Sequence, residues 1–157
     1  MQTGFVEAAG HNLEYQLIPA HQLNRPTLVF LHEGLGSVAM WRDFPQALHA
    51  ACAMPVFVYS RWGYGTSDPI PAAPRPIDYN TYEGCRVLPE VLAAARIERP
   101  ILLGHSDGGS IALLYAARWP ERLSGVIVMA PHIRVEPISV ASIEQARQAY
   151  RETDLRE

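Results

Sequence analysis

The chain has 157 residues, 48% of them hydrophobic and 18% charged, with a formal net charge of -3. That length suits one compact domain, and the apolar content excludes a disordered tail. The mild acidity leaves no electrostatic footprint for nucleic acid or an anionic membrane, the two cysteines, Cys52 and Cys85, are too few for a disulfide framework, and no Cys/His cluster has zinc spacing, so no cofactor is expected.

The N-terminus lacks a basic segment followed by an apolar one, and every apolar run is far shorter than a membrane span. A cytoplasmic protein without a membrane partner is therefore the expectation. Residues Gly4 to Ile18 alternate around Gly10–His11, which predicts two strands joined by a turn. Pro26 precedes TLVFLH, a nearly pure apolar run of the kind that forms a strand buried on both faces of a parallel sheet. Glu33 to Ser37 is a loop punctuated by glycine. Helical spacing follows from Trp41 to Ala51, with Trp41, Phe44, Leu48 and Ala51 on one face.

PVFVYS, from Pro55, predicts a second buried strand, and Asp68 to Pro76 is a proline-rich loop. Tyr79 to Arg96 reads as a helix that turns Val87, Val91, Leu92 and Ala95 to the core, with a kink or restart at Pro89. PILLGHS is a third buried strand, GGSIALLYAARWP a helix stopped near Pro120, and LSGVIVMAP a fourth buried strand. Val140 to Glu157 has the pattern of a polar amphipathic helix. Strands alternating with helices require right-handed crossovers, so the fold class is α/β, a mainly parallel sheet with helices on both faces.

Between the third strand and its helix stands Gly104–His105–Ser106–Asp107–Gly108. The form G-x-S-x-G marks a turn so tight that its central residue is strained and the residues two before and two after it need to lack side chains. Centring the turn on Asp107 would put His105 where bulk is excluded. Ser106 is therefore the predicted nucleophile, held at the carboxyl end of the sheet. An anion-binding or merely structural glycine turn is the competing reading.

LHEGLGS, SRWGYGTSD, GHSDGGSIAL and the order of elements together resemble the serine esterase-like branch of the α/β-hydrolase superfamily. The resemblance covers nearly the whole chain and implies a small-molecule acyl substrate attacked by Ser106 to give an acyl-enzyme. It implies an oxyanion hole built from the amides of Gly34 and Asp107, each such donor typically contributing about 10²–10³ in rate. Glu33 stands where the family often has glycine, which would set a carboxylate near the pocket mouth. His32 is read as closing its strand and bonding the loop rather than as a base. Trp41, Trp62 and Tyr64 either line an acyl pocket or simply pack.

A serine hydroxyl needs a base, and the order in this fold is Ser, then acid, then His after later strands. The resemblance thus implies a partial domain over residues 1–157, with a core of 1–131 and the start of a cap at 132–157. The late acid and histidine would then be absent and the chain weak or inactive alone. After Ser106 the sole histidine is His132, and the acids are Glu121, Glu136, Glu144, Glu152, Asp154 and Glu157. His132 is read chiefly as a loop residue near the pocket, and in a minor reading as a relocated base. The alternatives are a non-catalytic fragment or ligand-binding protein on the same fold, or complementation by a second polypeptide. The VIVMAP strand would form an exposed edge suited to self-association.

Overall fold

A computed structural model describes residues 1–20, 25–71 and 75–153. Each apolar run forms a strand. The elements are β1 (Gln2–Ala8), β2 (His11–Ile18), β3 (Leu28–Leu31), α1 (Phe44–Cys52), β4 (Val56–Tyr59), α2 (Tyr79–Tyr82), α3 (Leu88–Ala94), β5 (Ile101–His105), α4 (Asp107–Arg118), β6 (Gly125–Met129) and α5 (Pro137–Glu152). The six strands form one sheet in the order β1-β2-β4-β3-β5-β6. β3/β4, β3/β5 and β5/β6 are parallel; the N-terminal hairpin is antiparallel and joins β4 through β2.

Alternation along the strands divides the core between two faces. Val29, Leu31, Phe57, Tyr59 and Leu102 pack with Val91, Ile111 and Tyr115 from α3 and α4. Leu28, Phe30, Val56, Val58 and Leu103 pack with Trp41, Leu48 and Cys52 on the α1 side. The expected α/β sheet with helices on both faces is what forms. Both cysteines are free thiols.

Several local expectations are corrected. The hairpin turns at Ala9–Gly10, one residue early, with φ of 51° and 78°; positive φ at both central residues is what a type I′ turn needs to match strand twist. The predicted helix 41–51 divides into a 3₁₀ turn (Ala39–Trp41) and α1, because Arg42 takes a φ of 52°. Ala51 is exposed, and Cys52 takes its place against the core. At Pro89 the helix restarts, one of the two expected outcomes: α3 opens at Leu88 with the proline in its first turn. A π-helical turn over Glu83–Val87 widens the coil just before it, where the proline ring would otherwise meet the preceding turn. β6 is only half buried, and Ile127 is 46% exposed. It is the last strand of the sheet, with helix α4 on one face alone. α5 starts three residues before the predicted position and has no buried residue. Residues 72–74 of the proline-rich loop, with Asp154 and Glu157, lie outside the described residues.

Candidate active site

Three of the four parallel strands, β3, β5 and β6, end at one edge of the sheet, and the loops that follow them meet there. β5 passes into α4 through Ser106, whose φ of 52° and ψ of -116° lie in a region L-residues rarely occupy. Such strain costs roughly 1–3 kcal/mol and persists only where the surroundings enforce it. Here the Ser106 N–H donates to the Met129 carbonyl (2.9 Å), while the Ser106 carbonyl accepts from Ser110 N–H (3.1 Å).

The glycines are required by contact. A Cβ on Gly104 would lie 2.2 Å from the Gly108 carbonyl oxygen, and one on Gly108 would lie 1.9 Å from the Leu31 carbonyl oxygen. α4 therefore sits directly on the end of β3. The strained residue is Ser106, and Asp107 is already helical, in agreement with the register read from the sequence.

The loop after β3 is shaped from beneath. Arg61, fully buried at the end of β4, donates through Nη1 to the His32 carbonyl (2.6 Å) and through Nη2 to the Glu33 carbonyl (3.1 Å). The Arg61 backbone N–H donates to His32 Nε2 (3.0 Å), so the ring proton resides on Nδ1, which donates to the Glu33 carbonyl (2.7 Å). The Glu33 carboxylate accepts from Leu35 N–H (2.5 Å); it braces its own loop as well as facing the mouth. Together these bonds fix the turn that carries Gly34. His32 is the strand-closing histidine the sequence suggested. Arg61 had been visible only as part of a motif, since a charged residue ordinarily reads as surface.

Burial, with the Arg61 and then Arg75 charges adding to it, lowers the His32 pKa from 6.5 to about 3. Below about pH 6.5 the unfolded chain takes up a proton that the native ring refuses, so this group's stabilisation is full above that pH. It is lost as pH falls toward 3, by on the order of 4 kcal/mol in all. The His32 C2 proton resonance should accordingly stay fixed between pH 8 and 5, while the urea midpoint declines across the lower part of that range. A His32 titration midpoint near 6 would contradict the buried clamp.

Ser106, Gly34, Asp107, Glu33 and His132 share one cleft of about 610 Å³. Its outer wall is α5, which contributes Ile143, Ala146, Arg147, Tyr150 and Arg151, the spacing of one helix face. The Tyr79 hydroxyl donates to Asp107 Oδ2, and burial, then that bond, raises the tyrosine's pKa. Trp41 and Trp62 are elsewhere. Trp41 packs edge-on against Phe30 (4.9 Å) and borders a separate small cavity with His32 and His105. Trp62 stacks on His11 (3.9 Å) beside a second cavity of about 380 Å³. Tyr64 packs under the Arg61 and Arg75 guanidinium groups (5.2 and 4.8 Å). All three aromatics make packing contacts, and none of them lines the Ser106 cleft.

His132 lies in the Ser106 cleft, near the pocket as the sequence reading set it. Its Nε2 lies 3.1 Å from Ser106 Oγ, a contact to which the sequence reading gave only a minor place. Among the described residues, no group of three or more His, Cys, Asp or Glu could hold a metal ion, and no helix is long and apolar enough to cross a membrane.

Comparison with known proteins gives one consistent picture. Residues 26–156 match the model of the alpha/beta hydrolase fold. A proline iminopeptidase of Saccharolobus solfataricus is 32% identical over 131 residues, which are 82% of this chain and 40% of that protein. The 1-acylglycerol-3-phosphate O-acyltransferase ABHD5 of Rattus norvegicus is 30% identical over 130 residues, 80% of this chain and 35% of that protein. The crystal structure of carboxylesterase CesB from Bacillus subtilis superposes with a TM-score of 0.71 at 24% identity, covering 95% of this chain and 52% of that one. The chain thus spans well under half the length of these two curated relatives.

Proposed function

Because this chain belongs to the alpha/beta hydrolase fold family, we propose that it forms the nucleophile half of a serine hydrolase acting on a small acyl substrate through an acyl-enzyme. The observation that carries this reading is Ser106 itself. Its hydroxyl stands on a strained turn at the carboxyl end of the sheet and faces a cleft. The acyl chemistry named for the two curated relatives, a peptidase and an acyltransferase, agrees with it.

In this reading the Ser106 oxygen adds to the acyl carbonyl, and the amides of Gly34 and Asp107 receive the developing oxyanion. Gly34 N–H donates to no group among the described residues, and first-turn helix amides such as that of Asp107 have no partner within their helix. Both donors are thus free for a ligand, and the His32–Arg61 clamp keeps the first in place before substrate arrives. α5, which walls the cleft, is read as the beginning of a cap that sets substrate shape.

By the order of the fold, an acid and a histidine after later strands complete such a site. These 157 residues alone should therefore turn over slowly; altering only the triad aspartate of a serine protease costs about 10⁴ in kcat. The test is exposure to a fluorophosphonate probe and to short p-nitrophenyl esters, followed by peptide mass mapping. A covalent adduct on Ser106 is expected; an adduct elsewhere, or none, would refute the reading. Self-association through β6 belongs to the same proposal. Sedimentation velocity should reveal dimers or larger species as concentration rises, and Ile127→Lys should suppress them by placing a charge on the half-exposed edge. Monomers at all concentrations would remove it.

A further inference from the structure

We infer that His132 is the proton acceptor for Ser106 in this chain, and that Ser110 positions it. The inference rests on Ser106 being the nucleophile. It starts from the way the chain leaves β6. Ala130 takes a φ of 47°, which turns the backbone over the start of α4. Pro131 then packs against Gly109, where a Cβ would come within 3.1 Å of the proline Cβ. The next residue, His132, is clamped by one buried hydroxyl. Its N–H donates to Ser110 Oγ (3.1 Å), and Ser110 O–H donates to its carbonyl (3.0 Å). Ser110 is one helical turn beyond Ser106 on the same element, so nucleophile and imidazole are referred to a single rigid helix. The result is the 3.1 Å contact between Ser106 Oγ and His132 Nε2.

That distance is within the reach a general base needs. With the ring proton on Nδ1, Nε2 accepts the Ser106 proton as the Oγ–carbon bond forms. It then returns the proton to the leaving group as the carbon–leaving-group bond breaks. Water reverses the sequence: its proton goes to Nε2, its oxygen bonds the acyl carbon, and the Oγ–carbon bond breaks as Oγ regains a proton. Among the described residues nothing bonds Nδ1, so among them Ser106 and His132 form a pair without an orienting carboxylate. The charged and titratable groups sharing its cleft are Glu33 after β3, Tyr79 of α2, Asp107 of α4, and Arg147, Tyr150 and Arg151 of α5.

The experiment measures fluorophosphonate labelling rates of the 157-residue chain. Wild type should label at Ser106, with a rate that rises with pH. His132→Ala should label at least about a hundredfold more slowly, lose that pH dependence, and regain tenfold or more when imidazole is added. Ser110→Ala should label about tenfold more slowly, and the double variant no more slowly than His132→Ala alone, since both act through one ring. Labelling of His132→Ala at the wild-type rate, or a loss that imidazole does not relieve, would overturn the role of His132 while leaving Ser106 as nucleophile. An additive double variant would overturn the role of Ser110. Absence of labelling in wild type would overturn both the inference and the reading it rests on.

Discussion

Ser106→Ala should abolish fluorophosphonate labelling and reduce ester hydrolysis by more than about a thousandfold, without harming the fold. In a related catalytic triad, removal of the nucleophile costs about 10⁶ in kcat, and about 10³–10⁴ over water remains from the other parts of the site. These 157 residues alone are expected to start lower, so the measurable loss is smaller. The stability arm is equally specific. Ser106 has φ 52°, where a side chain is strained, so Ser106→Gly should raise stability by about 1–2 kcal/mol while destroying activity. Retained hydrolysis in either variant would remove Ser106 from the chemistry. A glycine variant less stable than wild type would show that the turn is not strained.

Gly108→Ala should be the most damaging methyl addition in the molecule. Its Cβ would lie 1.9 Å from the Leu31 carbonyl oxygen and 2.7 Å from that of His32. Backbone, unlike the far end of a side chain, has nowhere to go. Overpacking a core usually costs about 1–3 kcal/mol; here the whole of α4 has to leave β3, and a loss beyond about 4 kcal/mol in urea unfolding, or failure to fold, is expected. Gly125→Ala is the matched control. Its Cβ would make ordinary contacts of 3.7–3.8 Å with Ile101, and the variant should fall within about 1 kcal/mol of wild type. Equal behaviour of the two would refute the steric account of the turn.

The strands and the tight turn at Ser106 were legible in the sequence because each leaves a local mark. LVFL, VFVY and ILLGH are apolar at successive positions, as strands buried on both faces must be, and each forms where predicted. Ser106 was legible because two glycines at fixed offsets answer to one steric demand. What left no local mark depends on contacts between distant segments. His132 reaches Ser106 only through Ala130, Pro131 and the Ser110 clamp, none of which has a period or a motif. Arg61 is buried because two loop carbonyls need donors, a need invisible until the loop is folded. Trp41 and Trp62 were candidate pocket residues by type alone, and residue type does not say which cavity an aromatic borders. β6 was read as buried from its apolar run, whereas burial depends on whether neighbours cover both its faces. The restart at Pro89 was legible from the proline, whereas the π-helical turn before it leaves no periodic mark.

The strand order also governs the timing of assembly. The β1–β2 hairpin is local and can form within microseconds, yet its partner in the sheet is β4, not the β3 that follows it in the chain. β3, at the centre, pairs Leu28 with Val56 on one side and with Ile101 on the other. Closing such long loops delays parallel pairing relative to local structure. During synthesis the hairpin therefore waits undocked until residues 56–59 have emerged from the ribosome, and β3 keeps one side bare until residues 101–104 follow. For that interval the apolar strands are open to pairing with other nascent chains.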